Sequence, residues 1–166
     1  MIKKITEKDN FKSLAKLLND SFITVTDDFG ITKDNSPSHN AFIDSETLRS
    51  KLISNREFYK LDKNGYPVGF IAIEKSDKEK DTFYIEKVAV HPDYRHKGFG
   101  KQLMDFATKR ILDLNGKKIS IGLIDSNSQL KKWYNSQGYV ETGTKVFDHL
   151  PFKVCFMDKR LDDKAI

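Results

Sequence analysis

The stretch from Val88 to Ala107, VAVHPDYRHKGFGKQLMDFA, passes from an apolar strand-like run through a charged turn into a run of helical periodicity. Arg95, His96, Lys97, Gly98, Phe99, Gly100 and Lys101 occupy the junction. The first N–H groups of a helix have no intrahelical partners and carry partial positive charge, so a helix start attracts an anion. Gly98 and Gly100 let that anion approach the backbone without meeting a Cβ. Arg95, Lys97 and Lys101 add formal charge around it. The combination suits a diphosphate. Two common phosphate motifs do not account for it. The spacing of GFGK is not that of a P-loop and no Ser or Thr follows the lysine. The third glycine of the dinucleotide fingerprint is missing as well.

Further reactive side chains flank this junction. Glu86 lies on the strand leading into it and, by simple alternation, shares a face with Val88 and Val90. A carboxylate there is either solvated or paired with a lysine, or it serves as general base for an amine that must lose a proton. Tyr134 sits beside Trp133 in a short helical run. A lone helical tyrosine usually packs, but its ordinary pKa of about 10 also suits an acid that stays protonated at neutral pH. Asn127 stands where a helix N-cap belongs. His39 and His149 fall in loops and suggest no ligand set. Asp27, Asp28 and Asp148 complement a cationic amine on one reading and are solvated surface on the other. The single cysteine, Cys155, cannot form an internal disulfide and alternates as a packing residue in an apolar strand. No metal site is expected.

The surrounding elements follow from periodicity and turn residues. MIKKI reads as a first strand, and Thr6 with Asp9 offers helix-start chemistry. Phe11, Leu14, Leu17, Leu18 and Phe22 recur at helical spacing. DDFGITKDNSPSHNAF reads as a long loop, and Asp44 as the cap of a second helix with Ile43 and Leu48 as its staple. Asn64-Gly65 marks a hairpin. A third strand, roughly Thr82 to Val90, completes an antiparallel meander. The helix through Leu103, Ala107 and Ile111 is expected to end at Gly116. The strand KKISIGLI then pairs in parallel through a right-handed crossover. A short helix stops at Gly138, and TKVFDH and PFKVCFMDK are the last two strands. The order is β-α-α-β-β-β-α-β-α-β-β, an α/β (α+β) fold with a mixed, mostly antiparallel central sheet and flanking helices.

The motif Arg-x-x-Gly-x-Gly after VAV-x-P-x-Y, with NSQLKKWYNSQGY downstream, resembles the GNAT N-acetyltransferase superfamily. The resemblance is clearest from about Thr82 to Val140, while Ser21 to Asn55, which shapes the acceptor pocket in this family, matches only loosely. It implies a GNAT fold and acetyl-CoA as co-substrate, its pyrophosphate held by the turn from Arg95 through His96, Lys97, Gly98, Phe99 and Gly100 to Lys101. It implies that the pantetheine arm pairs with the strand of Val88 and Val90, the Val90 N–H facing the thioester oxygen. Asn127 is implied to bond the pantetheine, Tyr134 to protonate the departing thiolate, and Glu86 is a candidate base. The acceptor partner is then a small-molecule or peptide amine, with no acyl-enzyme intermediate. A fold that only retains acyl-CoA as a ligand is the rival.

Composition agrees with a soluble protein. The 166 residues suit one domain, 1–166, and 32% of them are charged. No apolar run approaches the ~20 residues of a spanning helix, and the N-terminus lacks the apolar stretch of a signal peptide. No membrane partner and a cytoplasmic location are the expectation. The net charge of +5 favours anionic partners. The basic residues are interleaved with acidic ones, without an aromatic platform, which argues against nucleic acid. A homodimer is an open option.

Overall fold

Asn64 and Gly65 take φ of 52° and 80°, the left-handed pair that a tight hairpin turn demands. They join β2 (Arg56–Lys63) to β3 (Tyr66–Lys75) in a computed structural model that describes residues 1–162. The other strands are β1 (Ile2–Lys4), β4 (Thr82–Val90), β5 (Lys118–Ile124), β6 (Val140–Val146) and β7 (Lys153–Arg160). The helices are α1 (Phe11–Phe29), α2 (Ser45–Ser50), α3 (Phe99–Asp113) and α4 (Ser128–Asn135), with single 3-10 turns at Asn40–Phe42 and Pro92–Tyr94. The expected chain order holds. The strands form one seven-stranded sheet in the order β1-β2-β3-β4-β5-β7-β6. Among the described residues only β4 and β5 run parallel, as the α3 crossover requires. No described helix is long and apolar enough to cross a membrane.

Strand alternation divides the core in two. Phe58, Phe70 and Ala72 face α1 and α2, where Phe11, Leu14, Leu18 and Leu48 are buried. Tyr59, Leu61, Ile71 and Ile73 face α3, meeting Leu103, Met104, Ala107 and Ile111. Asp44 caps α2 through Thr47 N–H at 2.7 Å, and Ile43 and Leu48 are both buried, as a staple requires.

Several boundaries differ from the sequence expectation. Asn10, not Thr6, caps α1, accepting from the Ser13 N–H. The Asp9 side chain instead closes the preceding turn onto the Thr6 N–H. Helix α1 also continues through Asp27 and Asp28 to Phe29, because buried Thr26 holds its last turn and Gly30, left-handed, donates to the Thr26 carbonyl. Asn115 takes the left-handed position after α3 (φ 64°), while Gly116 is needed because a Cβ there would collide with Ile111 and Phe83. Strand β6 starts at Val140 rather than Thr144. Every residue in it is exposed, so no hydrophobic alternation marks it.

Helix α3, which carries the glycine junction, is fixed to β2 by Arg110. Its Nε and Nη2 each donate to the Glu57 carboxylate at 2.9 Å. The Tyr59 hydroxyl also donates to Glu57, at 2.8 Å. Bonding to Arg110 holds the Glu57 carboxyl at about 2, against an ordinary 4.5, with burial opposing and Tyr59 and Lys4 assisting. A depressed folded-state pKa stabilises above the unfolded value and is lost as pH falls through the folded one. Glu57→Gln is therefore expected to lower the chemical-denaturation midpoint at neutral pH. The loss should be about 1 kcal/mol, below the usual range for charged hydrogen bonds because Arg110 is 35% exposed. The difference from the parent should shrink as pH drops from 4.5 toward 2.

Candidate active site

The two parallel strands pair over three residues only: Thr82 with Lys118, Phe83 with Ile119 and Tyr84 with Ser120. Beyond them β5 stays on β7 as far as Ile124, while β4 stays on β3 as far as Val90. The strands separate, and a cleft of about 1090 Å³ opens between Ile85–Val90 and Ile121–Ile124. Its walls come from α1 and the His39–Asn40 turn on one side, and from the α3 start and α4 on the other.

At one end of the cleft lies the glycine junction. His96 and Gly98 both have positive φ, 60° and 83°, a backbone path that turns N–H groups into a concavity. Gly98 is the N-cap of α3 with no side-chain cap, and the Gln102 N–H is the first to bond back, to the Gly98 carbonyl. The N–H groups of Phe99, Gly100 and Lys101 thus precede the hydrogen-bonded ladder of the helix. Gly98, Phe99, Gly100, Lys101 and His96 line the cleft. At Gly100 an added Cβ would lie 3.2 Å from the Trp133 ring, so this glycine also admits α4 against α3.

Two basic residues of the junction also engage other groups of the protein. Arg95 is turned inward, its Nη2 donating to the Ser21 carbonyl at 2.6 Å, Nη1 to Thr24 Oγ1 at 3.2 Å and Nε to the Val90 carbonyl at 3.1 Å. It ties α1 to β4 through neutral acceptors and still lines the cleft. Lys97 is off the cleft wall, its ammonium 5.4 Å from the Tyr94 ring centre. Lys101 remains on the wall, exposed and paired with Asp105 at 2.8 Å.

The His91 N–H bonds the Val68 carbonyl on β3. Alternation along a strand then points the Val90 N–H and carbonyl toward the open side, where Arg95 occupies the carbonyl. Val88 lines the same opening. Tyr134 is buried on α4, packed edge-on against Trp133 and Tyr139 at 5.0 and 5.6 Å, and lines the cleft. Burial pushes its phenol well above the ordinary range. Asn127 caps α4, Oδ1 accepting from the Leu130 N–H at 3.2 Å, and also lines the cleft.

Glu86 is not on the face of Val88 and Val90. Ala72 pairs with Glu86 but Phe70 with Ala89, so β4 carries one extra residue there, and Lys87 has φ 55°. This bulge reverses the alternation, and Glu86 joins Ala89 on the α1 side. Its carboxyl is raised, chiefly by burial, against the opposing charges of Lys87 and Arg56, and with Glu74 adding to the rise. Arg56 Nε is 3.4 Å away. Lys87 and Asn40, which sequence reasoning passed over, share this end of the cleft, and Lys87 donates to Asn40 Oδ1 at 2.6 Å. Only the misfit between an alternating pattern and a lysine amid apolar strand residues hinted at them. His39 and Asp28 also line the cleft, whereas Asp27, Asp148 and His149 do not. Cys155 lies on β7 away from it, its thiol pushed up to about 11, first by burial and then by its bond to Glu141.

The model of the acetyltransferase (GNAT) family matches residues 13–139. A Lactobacillus delbrueckii subsp. lactis protein, named as an uncharacterized N-acetyltransferase in the pepI 3' region, is 26% identical over 157 residues, covering 88% of this chain and 87% of its own. The ribosomal-protein-S18-alanine N-acetyltransferase of Escherichia coli superposes with a TM-score of 0.75 at 14% identity, over 99% of this chain and 96% of that one. The PaiA N-acetyltransferase of Thermoplasma acidophilum, solved with coenzyme A, gives 0.71 at 18% identity, over 96% and 98%. Those two structural likenesses concern the fold. Joined to a family match that runs from α1 to the end of the α4 turn, they lead to one conclusion: the chain belongs to the GNAT family of acetyltransferases.

Proposed function

We propose that residues 1–166 act as one domain that transfers an acetyl group from acetyl-CoA directly to a primary amine. The observation that carries this reading is a single cleft between splayed strands with an uncapped, glycine-lined helix start at one end and a buried tyrosine on its wall. The coenzyme A bound to the Thermoplasma relative supports the choice of cofactor. The N–H groups of Gly98 to Lys101 hold the diphosphate, and Lys101 contributes charge. The acyl-pantetheine lies along the open edge of β4, with the N–H2 of Asn127 available to it because Oδ1 serves the helix cap.

Acetyl-CoA supplies an activated thioester. The amine nitrogen forms a bond to the carbonyl carbon, and the Val90 N–H donates to the oxygen as negative charge develops there. The carbon–sulfur bond then breaks, and the thiolate takes the Tyr134 proton. Glu86 accepts the proton that the amine loses, its burial making it a stronger base than an exposed carboxylate. The charges of Lys87 and then Arg56 oppose that rise. The test is an acetyl-CoA turnover screen over an amine library, read as free thiol. Coenzyme binding with no transfer to any amine would return the chain to a ligand-holding role.

Tyr134→Phe keeps the ring between Trp133 and Tyr139 but removes the proton. Single-turnover acetyl transfer is expected to fall by about 10²–10⁴-fold with coenzyme affinity nearly intact. Because burial raises the phenol, the parent should keep its donor at pH values where an ordinary tyrosine ionises. Equal single-turnover rates would make Tyr134 a packing residue. Lys101→Gln is expected to weaken coenzyme A roughly a few-fold, less so at high salt, as calorimetry at two salt concentrations would show. Lys97→Gln should do less, since Lys97 stands off the cleft.

A further inference from the structure

Lys87 is an unusual residue for its position. A φ of 55° strains an L side chain in a way that glycine avoids, yet a lysine occupies it. From the bulge the side chain reaches the Asn40 turn, where the ammonium donates to Asn40 Oδ1 at 2.6 Å. That bond uses one of three N–H groups and involves a neutral partner. Among the described residues no carboxylate lies within ion-pair distance of Lys87. Glu86 and Glu74 both turn to Arg56, at 3.4 and 3.1 Å. Asp28, also on the α1 wall, is exposed and solvated.

The surroundings reinforce the imbalance. Burial lowers the Lys87 ammonium to about 8 against the opposing charge of Glu86, with Lys51 and Arg56 adding to the fall, which still leaves it mainly protonated at neutral pH. His39 is lowered by burial and by Lys87. Its Nδ1 accepts the Ala41 N–H, so the neutral ring carries its proton on Nε2, a second donor in the same corner. If Lys87 only fastened the Asn40 turn to β4, a neutral amide could make that bond without desolvating a charge. A partly dry cation on the wall of an open cleft is the complement of an anion that arrives with the ligand.

Resting on the acetyltransferase reading, we propose that Lys87 receives a carboxylate carried by the acceptor itself. The acceptor is then an amino acid or a close analogue, and not a polyamine or an aminoglycoside. The scale is suitable. Lys87 precedes Val90 by three residues, and the bulge compresses that path to about two strand steps, roughly 7 Å. A lysine side chain and the few bonds between an amine and its carboxylate span such a gap, placing the nitrogen near the Val90 N–H while the anion meets Lys87.

The experiment compares free amino acids with their carboxamides as acceptors, with spermidine as a cationic control. Free amino acids are expected to exceed their carboxamides by about tenfold or more in kcat/KM. Lys87→Asn keeps a residue that tolerates positive φ and should bring the ratio close to one, mainly through KM for the acid. Lys87→Arg should restore part of it. Coenzyme A affinity reports that each variant is folded. Carboxamides or spermidine used as well as the acids, or a ratio unchanged in Lys87→Asn, would overturn the proposal while leaving the enzyme reading intact. Coenzyme binding without transfer to any of these amines or to the wider library would overturn the enzyme reading and the proposal with it.

Discussion

The separation of β4 from β5 is the constraint on which the rest of the molecule depends. Each strand is satisfied on its far side, β4 by β3 and β5 by β7, so the two can part after Tyr84 and Ser120 without losing their outer ladders. The inner edges left behind would be an unpaired hazard in a closed sheet. Here they open onto a cleft, and Arg95 already covers the Val90 carbonyl. The same guanidinium reaches the Ser21 carbonyl and Thr24 on α1. One side chain thus links the open edge, the start of the glycine turn and the helix that forms the opposite wall.

The cleft has two chemically different ends because the sheet has two faces. On the α3 side the backbone supplies N–H groups at a helix start, fixed in place by the Arg110–Glu57 anchor and by Trp133 fitting over Gly100. On the α1 side, side chains of both signs are crowded into a partly dry corner: Glu86, Glu74, Arg56 and Lys87. The bulge at Lys87 creates this division, since it sends Glu86 to the α1 face while Val88 and Val90 keep to the other. Charges so placed are poorly screened, so Lys87, Arg56 and Glu74 all act on the proton affinity of the Glu86 carboxyl.

The glycine junction, the meander and the parallel crossover were legible in the sequence, because each rests on local chemistry: Gly98 and Gly100 before a periodic run, Asn64-Gly65 between strands, and a helix long enough to cross. The bulge was not. Alternation through YIEKVAV assumes an unbroken ladder, and the residue that breaks it is a lysine, which nothing marks as left-handed. The inward turn of Arg95 was hidden for another reason, since its partners lie on α1, more than seventy residues earlier in the chain. Helix α1 ran past its apolar stripe because a buried Thr26 and Gly30 close it, where Gly30, Asn35, Pro37 and Asn40 suggested a loop already begun at Asp27. Strand β6 has no buried face, so no apolar pattern marked its start at Val140, although TKVFDH located its last residues.

We propose that the α3 start holds a diphosphate while the open edge of β4 holds an acyl-pantetheine arm. Amide chemical shifts followed during parallel titrations with coenzyme A and with pantetheine, which lacks the diphosphate, test it most directly. The amides of Gly98, Phe99, Gly100 and Lys101 should move with coenzyme A alone, and those of Val88 and Val90 with both. Shifts at Val88 and Val90 without any at the α3 start, or no response of either group to saturating coenzyme A, would contradict it.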